Sequence, residues 1–193
     1  MPNWCSNGLT LSHDDPAMIT KAAEALKAGT FLDTFIPIPA ELKETTSPAK
    51  EGSPSVEFNG TQYSDWYSFC VNEWGTKWDI ESYNDPEVSE SGLSLEASFD
   101  SAWSPPIEAY RKLDEMGFTV KAVYYEPGMG FCGDYSTDGD EQFYDYSGLS
   151  ADEAEAEIPE YINEYFNITE YMRDWEEENQ EIDLDGGLSA INE

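Results

Sequence analysis

The chain has 193 residues, 39% of them hydrophobic and 14% aromatic, which is enough for one folded core and argues against a disordered acidic chain. Its 41 acidic residues against 9 lysines and arginines give a net charge of −32. That charge disfavours direct binding to nucleic acid or to an anionic membrane, and it favours the basic surface of another protein as a partner.

The negative charge is unevenly distributed along the chain. Residues 123–193 carry 21 acidic side chains and one basic one, whereas residues 1–122 carry 20 and 8. A general acidic surface of the halophilic kind is expected to be spread evenly, so the skew favours a specific use.

The three cysteines are far apart and there is a single histidine, so we expect free thiols, no metal and no cofactor. No signal sequence or long apolar run is found, and we expect a cytoplasmic protein.

The first third of the chain predicts a strand, a helix and a long irregular connection. Residues 4–12 form the strand, and residues 14–29 form a helix that Asp15 caps and Gly29 ends. Two prolines predict an extended path over residues 31–42, and turn-forming residues predict an exposed loop over 43–62.

The middle of the chain predicts the rest of the sheet. Residues 64–76 form a short helix, which two strands over 77–82 and 92–103 follow. Residues 104–117 form a helix and 119–126 a further strand. Ser104 caps that helix, and its buried stripe is Ile107, Tyr110, Leu113 and Met116.

This order of elements, β-α-(α)-β-β-α-β, predicts an α+β fold. It is the ferredoxin-like split βαβ sheet with an inserted helix, and residues 128–147 add a β-hairpin to it. We therefore divide the chain into a domain over residues 1–147 and an acidic extension over residues 148–193.

The acidic extension predicts two helices, 151–166 and 168–180, with Pro159 kinking or restarting the first. Ser150 with Glu153 and Asn167 with Glu170 have the spacing of capping boxes. Its apolar and aromatic residues are expected to pack against the domain as core. They are Tyr161, Ile162, Tyr165, Phe166, Tyr171, Met172 and Trp175.

The acids of the extension recur at helical spacing, so successive carboxylates would lie about 5–6 Å apart along one side of each helix. We predict that they form the partner-binding surface. They are Glu153, Glu157, Glu160, Glu164, Glu170, Asp174, Glu177, Glu178 and Glu181. The net charge of −32 equals that of about 54 Å of duplex DNA, at one charge per about 1.7 Å. A compact chain of this length is about 40 Å across, so the charge density is comparable with that of DNA.

Five motifs follow one another along the domain: MPNWCSN, FIPIPAEL, NEWGTKWD, SAWSPP and YYEPGMGFCG. As a set they resemble the YubB ferredoxin-like family of bacteriophage and conjugative-plasmid proteins, over about residues 1–147. The resemblance implies a ferredoxin-like fold, a mobile-element origin and a place in the host cytoplasm. It implies no catalytic residues, and the acidic extension lies outside it.

The tryptophans of these motifs are interpreted as structural. Trp74 and Trp78 are large enough to bridge helix and sheet, and Trp103 joins a strand to the helix that follows it. The alternative is an aromatic platform for nucleic-acid bases on the sheet, which the net charge disfavours.

One segment approximates a calcium-binding loop. Asp134, Ser136, Asp138, Gly139 and Asp145 occupy positions typical of that loop. Asp138-Gly139 is equally typical of a hairpin turn.

The sequence therefore predicts a binding protein and not an enzyme. The leading hypothesis is an inhibitor that occupies the basic surface of a host restriction, nuclease or other defence protein by mimicking DNA. The alternative is an interaction or sequestering module, virion-associated or regulatory, that uses the sheet surface. The oligomeric state stays open.

Overall fold

The fold is built around strand β1, which lies in the middle of the main sheet. It is described by a computed structural model over residues 2–189, with side chains up to residue 179. The strands are β1 (Trp4–Ser12), β2 (Val56–Phe58), β3 (Thr61–Tyr63), β4 (Glu87–Val88), β5 (Ser94–Ala102), β6 (Thr119–Glu126), β7 (Phe131–Ser136) and β8 (Asp140–Asp145). The helices are α1 (Pro16–Ala28), α2 (Phe31–Phe35), α3 (Ala40–Lys43), α4 (Trp66–Glu73), α5 (Ile107–Glu115), α6 (Ala151–Glu157), α7 (Glu160–Phe166) and α8 (Ile168–Ser189).

The main sheet has six antiparallel strands in the order β4-β5-β1-β6-β7-β8, and β2 and β3 form a separate hairpin. The chain is thus an α+β protein, as its sequence predicts. The predicted hairpin after β6 is present as β7 and β8, and β8 forms an outer edge of the sheet.

Alternation along the strands gives the sheet two different faces, because successive side chains point to opposite sides. The first face is apolar and packs against α1, α4 and α5. Leu9 and Leu11 of β1, Phe99 of β5 and Val120 of β6 are buried there in one cluster with Leu26 of α1. This is the main core.

The two long helices of the core differ in how far local sequence signals set their ends. Asp15 accepts a hydrogen bond from the Ala17 N–H at 2.9 Å, and Gly29 ends α1 in the left-handed conformation, both as predicted. Helix α5 begins later than predicted, after Pro106, and has no side-chain cap. The prediction for Ser104 is wrong because its hydroxyl donates instead to the Gly75 carbonyl. Met116, predicted to be buried, is 40% exposed because the helix has ended at Glu115.

The connection between α1 and β5 differs most from the sequence predictions. Residues 31–42 contain the short helices α2 and α3 and not an extended path, and the predicted loop 43–62 holds β2 and the start of β3. The predicted strand 77–82 is absent among the described residues, apart from one bridge between Ser82 and Phe99.

Asp79 explains the loss of that strand. Its carboxylate accepts hydrogen bonds from the backbone N–H groups of Leu32 and Asp33 at 2.7 and 2.9 Å, and from that of Ile80 at 2.8 Å. The segment is therefore held against the start of α2 and away from the sheet. The strand next to β5 is instead β4, further along the chain.

The acidic extension packs on the second face of the sheet, over β6 and β7. Ile158, Ile162 and Ile168 are buried in a second apolar cluster with Cys132 and Tyr146. Phe166 stacks on Tyr125 with ring centroids 5.5 Å apart. The extension is therefore anchored through a few aliphatic residues and one ring.

The helices of the extension begin where the sequence predicts, at residues 151 and 168, and Pro159 restarts the first of them; α8 extends beyond its predicted end at residue 180. Ile158 is extended and Pro159 restarts the chain as α7, so residues 151–166 form two helices. Asn167 takes a left-handed conformation as the C-cap of α7 and not the extended conformation of an N-cap residue, so the second predicted capping box does not form. Within residues 2–189, no helix is long and apolar enough to cross a membrane.

Candidate protein-interaction surface

Helix α8 presents an acidic side to solvent. Glu170, Asp174, Glu177 and Glu178 are exposed, and successive members of the set lie three or four residues apart or side by side. On the opposite side of the helix, Ile168 is fully buried. The four carboxylates thus belong to one outward surface, which we call the α8 acidic face.

The inward side of α8 is tied to α6 by polar contacts. Glu176 accepts a hydrogen bond from the Ala151 N–H at 2.8 Å and so satisfies a donor at the start of α6. Arg173 forms ion pairs with Asp152, at 3.4 Å, and with Glu155. Arg173 is the single basic residue of 123–193, and its charge is directed to acids of the extension itself. The α8 acidic face therefore has no balancing cation of its own within the described residues.

The first four predicted partner-binding acids are not arranged as predicted. Glu153 and Glu157 lie on α6, Glu160 and Glu164 lie on α7, and the break at Ile158 separates the pairs. All four are exposed, but the prediction of one continuous stripe is wrong because Pro159 interrupts the helix.

Glu153 also has a structural role. The predicted capping box is present: the Glu153 carboxylate accepts hydrogen bonds from the Ser150 N–H at 2.9 Å and from its hydroxyl at 2.7 Å. These bonds, the backbone one first, lower the pKa of Glu153. The side chain of Glu181 lies outside the described residues.

Four of the aromatic residues predicted to pack as core are exposed. Tyr171 and Trp175 are 60% and 67% exposed and lie one turn apart on α8, beside the acidic face. Tyr161 and Tyr165 of α7 are 53% and 52% exposed. The helical spacing of these residues is the same for a buried and an exposed stripe, so the sequence alone did not distinguish the two. Exposed Trp and Tyr side chains are typical anchors of protein interfaces.

A groove of about 500 Å³ lies on the part of the second face that the extension leaves open. We call it the sheet groove. Its floor is formed by β5, β1, β6 and β7, one wall by α7 and the other by the segment that leads into β4. The lining side chains include Thr10, Asp85, Glu87, Glu96, Ser98, Lys121, Asp134, Ser136, Tyr161 and Tyr165. Asp134 and Ser136 belong to the calcium-loop alternative that the sequence offered. The other lining residues were not predicted as a site, although alternation along β1 and β5 places Thr10, Glu96 and Ser98 on one face.

The wall of the sheet groove is fixed by contacts with the floor. Tyr161 donates a hydrogen bond to the Asp134 carboxylate at 2.6 Å, and the hydroxyls of Tyr165 and Ser98 are 3.3 Å apart. Burial, followed by the hydrogen bond to Asp134, raises the pKa of Tyr161, which keeps its hydroxyl a donor. Gly8 lies below Tyr165, and a Cβ at that position would collide with the tyrosine hydroxyl, so a larger residue there would displace the ring.

A tryptophan cluster lies at the end of β1. Trp4 and Trp78 have ring centroids 5.9 Å apart, and the Lys77 ammonium lies 4.6 Å from the centre of the Trp78 ring. Trp103 donates its backbone N–H to the Asn3 carbonyl at 2.9 Å, which places it next to Trp4. The three tryptophans are 45%, 39% and 48% exposed, so about half of each side chain faces solvent, and the structural role of Trp78 and Trp103 stays a prediction. Trp74, by contrast, is buried and donates to the Ile36 carbonyl at 2.9 Å, in agreement with a structural role.

Trp103 has a strained backbone. Its φ of 73° lies in the left-handed region, which a bulky side chain rarely adopts. Such strain is often found where a side chain is held for binding. This makes the tryptophan cluster a second candidate surface.

The three cysteines are poorly placed to act as nucleophiles. Cys5, Cys70 and Cys132 are buried free thiols, and burial raises the pKa of both Cys70 and Cys132 to about 12. A neutral thiol is a weak nucleophile. In the part of the chain that the structure describes, no three His, Cys, Asp or Glu side chains converge as metal ligands.

The calcium-loop alternative does not hold for residues 134–145. Asp134 and Ser136 lie on β7, and Asp145 lies at the far end of β8, opposite Phe131. The segment is the β-hairpin that the sequence offered as the other explanation, so its acids do not surround a common point.

Comparisons with known proteins give little further information. No protein-family model matches the chain, and no curated protein matches it. Among solved structures it is similar to the crystal structure of a protein api92 from Yersinia pseudotuberculosis, of the family model DUF1281. That similarity has a TM-score of 0.40 and a sequence identity of 12%, and it covers 75% of this chain and 98% of the other.

Proposed function

We propose that this protein binds and inhibits a nucleic-acid-binding defence protein of a bacterial host, and that its acidic extension mimics DNA. The target would be a restriction, nuclease or other defence component in the host cytoplasm. Its lysines and arginines would contact carboxylates of this protein in place of phosphates. Binding, and not catalysis, would then be the activity.

The α8 acidic face is the observation that carries the proposal. Four exposed carboxylates lie on a helix that begins in the second apolar cluster, where Ile168 is buried, and that contacts α6 through Arg173 and Glu176. The surface is therefore supported by the rest of the extension. The one arginine of the extension is engaged with Asp152 and Glu155. Tyr171 and Trp175 lie beside the acids, where they would supply the apolar contacts that charge alone does not give.

We further propose a ferredoxin-like sheet and membership of the YubB family for the domain over residues 1–147. The order β4-β5-β1-β6, with α1 before β4 and α5 before β6, supports a split βαβ arrangement. The motif resemblance supports the family and, with it, a mobile-element origin.

The test is capture of partners from a bacterial lysate on the immobilised protein. We expect the captured proteins to bind DNA, and we expect a short DNA duplex to displace them because the two ligands use one basic surface. Capture should weaken steeply as the salt concentration rises, since the contacts are between charges.

Matched triple variants locate the surface. Glu170→Lys, Asp174→Lys and Glu177→Lys together should abolish capture. The control triple variant makes the same change of charge at exposed positions of the domain: Glu24→Lys, Glu41→Lys and Glu51→Lys. It should retain most of the capture. If both triples weaken capture equally, or if the partners do not bind DNA, the mimicry proposal fails.

The tryptophan cluster favours a second candidate function, an interaction module that uses the sheet domain, as part of a virion or as a regulator. Three half-exposed tryptophans, one with strained backbone, form an apolar surface of the kind found at protein interfaces. Under this alternative, Trp103→Ala should abolish capture of the partner. The triple variant of the α8 acidic face, which changes Glu170, Asp174 and Glu177 to Lys, should not.

A further inference from the structure

One row of side chains crosses the sheet groove from strand to strand. In the register of the sheet, Glu87 faces Glu96, Glu96 faces Thr10, and Thr10 faces Lys121. Residues that pair directly across strands point to the same face. The floor of the groove therefore carries two adjacent carboxylates at the β4–β5 side and an ammonium group two strands further on.

The charged side chains of this row have no partner of opposite charge in the part of the chain whose side chains the structure describes. Among the described residues, none of Glu87, Glu96 and Lys121 takes part in an ion pair. Thr10 separates Glu96 from Lys121 by two strand spacings, or about 10 Å between backbones. Like charges directly opposite each other on paired strands are destabilising, so the Glu87–Glu96 pair reduces the stability of the empty protein.

The aromatic wall gives the groove a shape as well as a charge. Tyr161 and Tyr165 are held by Asp134 and Ser98, and Gly8 leaves the space that Tyr165 occupies. A ligand in the groove thus meets the rings of Tyr161 and Tyr165 as well as the carboxylates of Glu87 and Glu96. Lys27 is paired with Asp85, a further lining residue, at 2.7 Å, and it forms no ion pair with Glu87 or Glu96.

We infer that the sheet groove binds an arginine side chain of the basic partner protein. A guanidinium group is planar and carries several donors, so it can bridge the carboxylates of Glu87 and Glu96. Its flat face and aliphatic stem suit contact with tyrosine rings. Lys121 repels a second cation and so restricts the guanidinium to the β4–β5 side. The inference rests on the proposed function for the nature of the partner, but it uses a different surface from the α8 acidic face.

The test uses three blocked tripeptides, acetyl-Gly-X-Gly-amide, in which X is arginine, lysine or citrulline. Binding to the full chain is followed by NMR. We expect the arginine peptide to shift the amide signals of β4 and β5, the lysine peptide to bind more weakly, and the neutral citrulline peptide not to bind.

Two variants and two controls assign the contact. Glu87→Gln and Glu96→Gln should each weaken binding of the arginine peptide about tenfold, the loss expected for a charged hydrogen bond. Glu44→Gln and Glu115→Gln remove the same charge at exposed positions outside the groove and should change binding by less than about twofold. The unliganded Glu96→Gln protein should also have a higher melting temperature than the native chain, because the repulsion with Glu87 is removed.

The outcomes separate this inference from the proposed function. If the arginine peptide does not bind at millimolar concentration, or if all four variants weaken it equally, the groove is not an arginine site. If the arginine peptide fails to bind while capture still depends on the α8 acidic face, the arginine site is overturned and the proposed function is not. Loss of capture in the groove variants but not in the α8 triple overturns mimicry by the extension and keeps the groove.

Discussion

Ile162→Ala tests whether the acidic extension is an integral part of the folded protein. Ile162 is fully buried in the cluster that joins α7 to β7, with Cys132 and Tyr146. The substitution removes three carbon atoms, worth about 2.4 kcal/mol of transfer free energy at about 0.8 kcal/mol each. A cavity term adds to this, so we expect the free energy of unfolding to fall by about 3 kcal/mol, within the usual 2–5 kcal/mol range.

Urea denaturation followed by tryptophan fluorescence measures this loss, and hydrogen exchange of the α6 and α7 amides shows where the protein opens. Tyr171→Ala is the control, because that side chain is 60% exposed and its loss should cost less than about 0.5 kcal/mol. A loss below about 1 kcal/mol for Ile162→Ala, with unprotected amides in α6 and α7, would mean that the extension is not docked. The α8 acidic face would then not be a supported surface.

Two further predictions concern stability. Burial and then the hydrogen bond to Glu73 raise the pKa of Tyr63 from 10.0 to about 12, so its contribution to stability is complete below pH 10 and is lost as the pH rises towards 12. Urea denaturation between pH 8 and 11.5 should show this fall, which Tyr63→Phe should reduce; an unchanged slope would contradict the assignment. Gly8→Ala should lower the melting temperature because the new methyl group displaces Tyr165. Gly8→Ala combined with Tyr165→Ser should recover part of the loss, and no recovery would place the strain elsewhere.

Local signals in the sequence predicted the elements whose ends depend on neighbouring residues. Helix α1 is an example, because Asp15 and Gly29 cap it within a few residues of its ends. The capping box of Ser150 and Glu153 is another. In such cases the hydrogen bonds that set the structure join residues close in sequence, so the pattern is sufficient.

The failures depend on contacts between distant residues. Residues 77–82 have a strand-like pattern, but Asp79 binds the backbone of Leu32 and Asp33, more than forty positions earlier. The sheet groove depends likewise on strand register, which brings Glu87, Glu96 and Lys121 into one row. Neither relation is visible in a local pattern of residue types.

Exposure of aromatic residues could not be predicted for a different reason. Ile162 is buried and Tyr161, its neighbour, is half exposed, although both fit a helix packed on a sheet. The area that the sheet offers decides which of them is covered. Because the sheet has too little free area to cover every apolar residue of the extension, Tyr171 and Trp175 stay exposed and become part of the candidate surface.

The outer edge strand β8 has a consequence for self-association. An uncovered strand edge is open to pairing with the same edge of another molecule, which is a route to aggregation. The three acids of β8, Asp140, Glu141 and Asp145, would be brought close to those of the second copy and repel them, and Arg111 offsets only part of this charge through its ion pairs with Asp140 and Glu141. That protection depends on ionised carboxylates, so precipitation should begin as the solution is acidified towards the isoelectric point of about 4.1.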